Sequence, residues 1–70
     1  MKCCLSDLEN GSATIVGLED CVVGFAREQG VVLGAKIEIL KNCKHYVLFY
    51  LRGSLCAIDI ASANKIWVEV

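Results

Sequence analysis

The sequence predicts a small, mostly β domain, a closed barrel of about five short strands with one short helix inserted after the first strand. Three observations carry that expectation. Apolar and charged residues alternate in short runs such as Ala35-Lys36-Ile37-Glu38-Ile39 and Ile66-Trp67-Val68-Glu69-Val70, the period of a half-buried strand. Glycine punctuates the runs and proline is absent, so glycine does the turning. The chain is 56% hydrophobic in 70 residues, and closing such a small sheet on itself removes its exposed edges.

The elements follow in order. Ser6-Asp7-Leu8-Glu9 has the spacing of a capping box and predicts a helical turn, which Asn10-Gly11 ends at once. Ala13–Leu18 is β-branched and alternating, the first strand. Asp20 is placed to cap a helix over Cys21–Gln29, with Val22, Val23, Phe25 and Ala26 on one stripe and Arg27, Glu28 and Gln29 opposite. Gly24 inside it costs about 1 kcal/mol relative to alanine, which makes the helix short and dependent on packing. Gly30 is suited to the left-handed conformation that closes a helix. Val31-Val32-Leu33 then crosses to Gly34, which turns the chain into a strand over Ala35–Lys41. The other elements are arranged around this stretch.

Beyond the loop Asn42-Cys43-Lys44, the run His45–Leu51 reads as a strand. Arg52-Gly53 makes a tight turn, and Ser54–Asp59 returns antiparallel. Asp59 caps a single helical turn over Ile60–Asn64, and Ile66–Val70 is the last strand.

Seventy residues make one domain, residues 1–70, able to bury about 60% of the surface of its unfolded chain. Seven basic and eight acidic residues are spread without blocks for a net charge of −1, which argues against the basic face of a nucleic-acid binder. No run approaches the ~20 apolar residues that span a bilayer, the longest being Tyr46–Leu51, and no charged leader precedes an apolar stretch. The expectation is a cytoplasmic protein with no direct membrane insertion. Five cysteines (Cys3, Cys4, Cys21, Cys43 and Cys56) are an odd number in such a chain. They read as reduced thiols or metal ligands, not as a disulfide framework.

From Leu5 to Val70 the chain resembles the FeoA family, ferrous iron transport protein A. The resemblance rests on Leu5-Ser6-Asp7-Leu8 with Gly11, Ala13–Val16, the spacing of Gly30 and Gly34, Ile37-Glu38-Ile39, Arg52-Gly53, Ala57-Ile58, and Ala63 with Ile66 and Val68. Each piece is structural, and their order makes them specific. The resemblance implies an SH3-like barrel with a helix after the first strand, acting in Fe(II) uptake beside a membrane transporter with a cytosolic GTP-binding domain. The same barrel occurs at the C-terminus of metal-dependent transcriptional repressors. This chain departs from the family pattern at Ala26 and Gln29, where leucines are usual, and at Asn10 and Leu33, where prolines are common. It is also slightly acidic where many members are basic.

The family pattern implies that Val47, Phe49 and Leu51 face inward, with Ile66, Val68 and Val70 doing so in the last strand. Tyr46, Leu48, Tyr50 and Trp67 are then left outside as a candidate partner-binding patch, since exposed apolar clusters often mark interfaces. Weak homo-oligomerisation through that patch is compatible with the sequence. Cys43 and His45 stand two apart on one side of an extended segment, a candidate pair of metal ligands that Cys3-Cys4 would complete to a zinc-type set. No paired Cys-x-x-Cys knuckle supports it. The only histidine has no carboxylate or nucleophile at catalytic spacing, so no enzymatic activity is expected.

The reading is thus an accessory protein that binds and modulates a membrane ferrous iron transporter by protein contacts and requires no cofactor. One rival is a carrier or sensor of Fe(II) or Zn(II) using Cys43 and His45. The other is a repressor-type barrel that binds a peptide.

Overall fold

Alternation in the strands decides the architecture. The computed structural model describes residues 1–70 with every side chain but that of Phe25, on which the expected helix stripe partly rests and which lies outside the described residues. The chain forms β1 (Lys2–Cys4), a 3-10 turn (Leu5–Asp7), β2 (Gly11–Leu18), α1 (Asp20–Gln29), β3 (Lys36–Asn42), β4 (Tyr46–Leu51), β5 (Ser54–Asp59), α2 (Ile60–Ala63) and β6 (Ile66–Glu69). Six strands form one sheet in the order β1-β6-β2-β3-β4-β5, antiparallel at every pairing. No helix is long and apolar enough to cross a membrane.

Period-two patterning puts one face of each long strand inside. Ala13 and Ile15 come from β2, Ile37 and Ile39 from β3, Val47, Phe49 and Leu51 from β4, Ile58 from β5, and Ile66 and Val68 from β6. Among the described residues no polar or charged side chain is buried, so this core is held by apolar packing alone. Register shifts between Ile15 and Gly17 and between Ile39 and Lys41 mark bulges, and bulges bend and twist the strands that carry them. At the tip of the β4–β5 hairpin Arg52 and Gly53 have φ of 53° and 81°, the paired positive values of the turn that matches strand twist.

Several sequence expectations change. The N-terminus opens on a strand, β1, paired with β6 as Lys2↔Glu69 and Cys4↔Trp67. Lys2-Cys3-Cys4 carries no strand signal of its own, and its conformation comes from the edge it docks on. The turn that follows is capped from Cys4, whose N–H donates to Asp7 at 3.3 Å. Ser6 does not cap it; its hydroxyl donates to the Asn64 side chain. Asp20 is the first residue of α1, behind Glu19, which makes no side-chain cap bond. Val70 lies past β6 and is exposed, not inward.

Backbone pairing also leaves β1 and β5 as the sheet edges. At one end of the sheet α2 packs against the 3-10 turn. Asn42, at the end of β3, donates through Nδ2 to the carbonyls of Ser6 and Leu8 at 2.6 and 2.7 Å, and Leu5 and Ala63 plug this end of the core at 0% exposure.

Candidate functional site

An apolar depression lies beside α1. Residues four apart share a helix face, and the two registers of α1 point differently. Val22 and Ala26 are buried, whereas half-buried Val23 and exposed Arg27 line the depression. The helix closes at Gly30, with φ of 85° and its N–H on the Arg27 carbonyl at 3.0 Å. Val31 then donates to the Ala26 carbonyl at 2.8 Å and enters the core. Gly34 returns the chain to β2 by donating to the Ile15 carbonyl at 2.8 Å. Val32 and Leu33, held between these two anchors, are left outside at 37% and 64% exposure. With Leu18 they make a groove of about 370 Å³ whose single charged lining residue is Arg27.

A second, more open hollow of about 540 Å³ lies where β2, β3 and the hairpin tip meet. Lys36 and Arg52 share its lining with Glu38 and Glu69, so its charges offset and it selects no ligand of one sign.

The four patch residues expected from the sequence are not brought together. Tyr46, Leu48 and Tyr50 do share the outer face of β4, with Tyr46 and Leu48 half-buried and Tyr50 43% exposed. Their neighbours across β5 are Asp59, Ala57 and Leu55. Trp67 is on β6, separated from β4 by β2 and β3. It stands at 40% exposure opposite Cys4 and Gly17, and a Cβ at Gly17 would come within 3.3 Å of its ring.

The thiols and the imidazole do not assemble into a metal centre. All five cysteines are free, and among the described residues no group of three or more His, Cys, Asp and Glu gathers as ligands. Cys3-Cys4 therefore does not complete the Cys43 and His45 pair, and two donors fall short of the four of a structural zinc site. The Cys43 thiol turns back on its own loop, with Sγ 3.5 Å from the Tyr46 carbonyl. Backbone hydrogen bonding from His45, then Tyr46, holds it below the ordinary thiol range. Cys4 is shifted the other way, first by burial and then by Asp7.

The FeoA domain model matches residues 3–70. The chain belongs to the FeoA domain family. Its fold superposes on the crystal structure of an iron uptake regulatory protein, FeoA, with a TM-score of 0.89 at 20% identity, covering 99% of this chain and 97% of that one. The NMR structure of a FeoA-like protein from Clostridium acetobutylicum gives 0.86 at 24% identity, over 99% and 86%. ScaR with bound Zn2+ gives 0.88 at 18% identity, over 96% of this chain and 36% of ScaR. No curated protein matches the chain. At these identities the likenesses establish the fold, the small SH3-like barrel that FeoA domains share.

The groove was not visible in the sequence. Val31-Val32-Leu33 is too short to show a period. Only the anchors at Gly30 and Gly34 decide that Val31 goes in while its two neighbours stay out.

Proposed function

We propose that this FeoA-domain protein is an accessory of ferrous iron uptake that binds the cytosolic part of a membrane Fe(II) transporter through the α1 groove and modulates it by that contact. The observation that carries the reading is the pairing of exposed Leu33 and Val32 with a concave apolar wall of Leu18, Val23 and Val31, rimmed by Arg27. Such a groove fits a partner segment that inserts an apolar side chain and sets a carboxylate beside the guanidinium. The outer face of β4 supports docking less well. Its residues are partly covered, and Trp67 lies elsewhere on the sheet. No step of chemistry is asked of the domain, in keeping with a family of small accessory folds.

The test is an amide-resolved NMR titration with the transporter's cytosolic domain. We expect shifts at Leu18, Val23, Val32 and Leu33. Leu33→Ser should leave the spectrum folded and weaken binding about tenfold or more, since burying one leucine is worth about 1.5–3 kcal/mol. Shifts confined to Tyr46, Leu48 and Tyr50 would move the docking site to β4, and no shifts at all would remove direct contact with that domain.

A further inference from the structure

We infer that two copies of this chain pair antiparallel through their β5 edges, about a two-fold axis at Ala57. The inference starts from hairpin parity. A two-residue turn at Arg52-Gly53 makes Leu51↔Ser54 the closing hydrogen-bonded pair, and such pairs alternate with non-hydrogen-bonded ones along an antiparallel ladder. The same parity reappears beyond the strand, where Ile60 donates to the His45 carbonyl at 3.2 Å. Leu55, Ala57 and Asp59 are therefore the non-hydrogen-bonded partners of Tyr50, Leu48 and Tyr46. The backbone N–H and C=O groups of Leu55 and Ala57 point away from β4, towards the open edge of the sheet, whereas Asp59, as the N-cap of α2, gives its carbonyl to that helix and keeps only its N–H.

The two edges of the sheet are guarded differently. Strand β1 is three residues long and begins with Lys2, both features that discourage pairing. Strand β5 runs over six residues, Ser-Leu-Cys-Ala-Ile-Asp, with no lysine, proline or bulge. A row of unpaired backbone groups is a template for another strand, and β5 is complementary to itself. With the axis at Ala57, Leu55 meets Asp59 of the second copy, Ala57 meets Ala57, and Asp59 meets Leu55. Ala57 then exchanges both of its bonds with Ala57 of the second copy, and the Asp59 N–H is left for the Leu55 carbonyl. An axis one residue earlier, at Cys56, pairs Leu55 with Ala57 and leaves Asp59 opposite the Gly53 turn.

Side chains agree with the central register. Directly opposed residues lie on one face of a sheet, and Leu55, Ala57 and Asp59 are all on the exposed side. The middle row then reads Leu48, Ala57, Ala57 and Leu48, an apolar strip with small residues at the axis. No like charges oppose one another, because each Asp59 faces a leucine. The partner is thus a second copy, an isologous contact of the kind most homodimers use.

The experiment follows the full chain by sedimentation and by amide NMR from micromolar to millimolar concentration. The expected result is reversible dimerisation, with concentration-dependent shifts centred on Leu55, Ala57 and Asp59. Ala57→Pro removes an N–H that makes no bond within the chain, so the monomer keeps its ladder while the edge is blocked. We expect it to abolish both effects, as should Ala57→Lys, which puts a charge on the edge. If the proline variant fails to fold, the lysine variant decides. A chain that stays monomeric to millimolar concentration would overturn the inference. So would association that survives these substitutions, or shifts centred on Trp67 or Leu33.

Discussion

The strands β3, β4 and β5 and the helix α1 occupy adjacent parts of one small chain on different terms. In the meander alternate side chains are buried, from Ile37 and Ile39 through Val47, Phe49 and Leu51 to Ile58. In α1 the described buried side chains are Val22 and Ala26 alone, Gly24 lies within the helix, and no side chain caps its start. The meander is thus specified by packing. The helix is held at its ends, by the Glu19 N–H on the Lys65 carbonyl at 3.0 Å and by the closure at Gly30. The domain thus sets a densely packed frame beside a lightly packed wall, and its apolar groove lies on the wall.

The contrast breaks most visibly at Phe49, the largest fully buried side chain. Phe49→Ala should cost about 3–5 kcal/mol, a large part of the stability of so small a domain, and chemical denaturation should show it mostly unfolded. A smaller effect of opposite sign is expected in the helix. A Cβ at Gly24 would meet nothing within 4 Å, so Gly24→Ala should stabilise by about 1 kcal/mol, read as a raised melting temperature with an unchanged sheet spectrum.

The smallest effect compares the two helix starts. Asp59 accepts from the Ser62 N–H at 3.2 Å, and hydrogen bonding from Ser62, side chain first, lowers its pKa from the ordinary carboxylate value. A carboxyl whose folded pKa is depressed stabilises fully above its unfolded pKa of about 3.9 and loses that contribution as pH falls through the folded value. Asp59→Ala should therefore lower stability at neutral pH, and its gap to the parent should narrow below about pH 4 in pH-dependent denaturation. Glu19→Ala, at the uncapped start of α1, should change nothing at either pH.

Much of the fold was legible because the strands carry their period in the sequence. Ile37-Glu38-Ile39 and Ile66-Trp67-Val68 alternate along their strands, Arg52-Gly53 names its turn, and Asp59 caps α2 as its spacing predicts. What stayed hidden depends on distant partners. Strand β1 exists because β6 offers it an edge. Ser6 abandons the capping role that its spacing suggests because Asn64 arrives beside it. The candidate site was less legible still. An all-apolar β4 announced an exposed face, but sheet order decides which residues share it, and that order puts Trp67 apart from Tyr50.

The ladder joins strands that are neighbours in sequence with strands that are not. From β3 to β5 each pairing needs only a short loop to close, whereas β1 and β6 join residues as remote as Lys2 and Glu69. Closing a long loop loses entropy before any contact repays it, so the order of assembly is written into the sheet. The meander is the expected nucleus, and β6 and β1 zip on after the rate-limiting step. Disruptions in the hairpins should slow folding, whereas loosening the bonds from Asn42 to the Ser6 and Leu8 carbonyls should mainly hasten unfolding. The side chain that ties β3 to the 3-10 turn is then expected to govern how long the native state persists once formed.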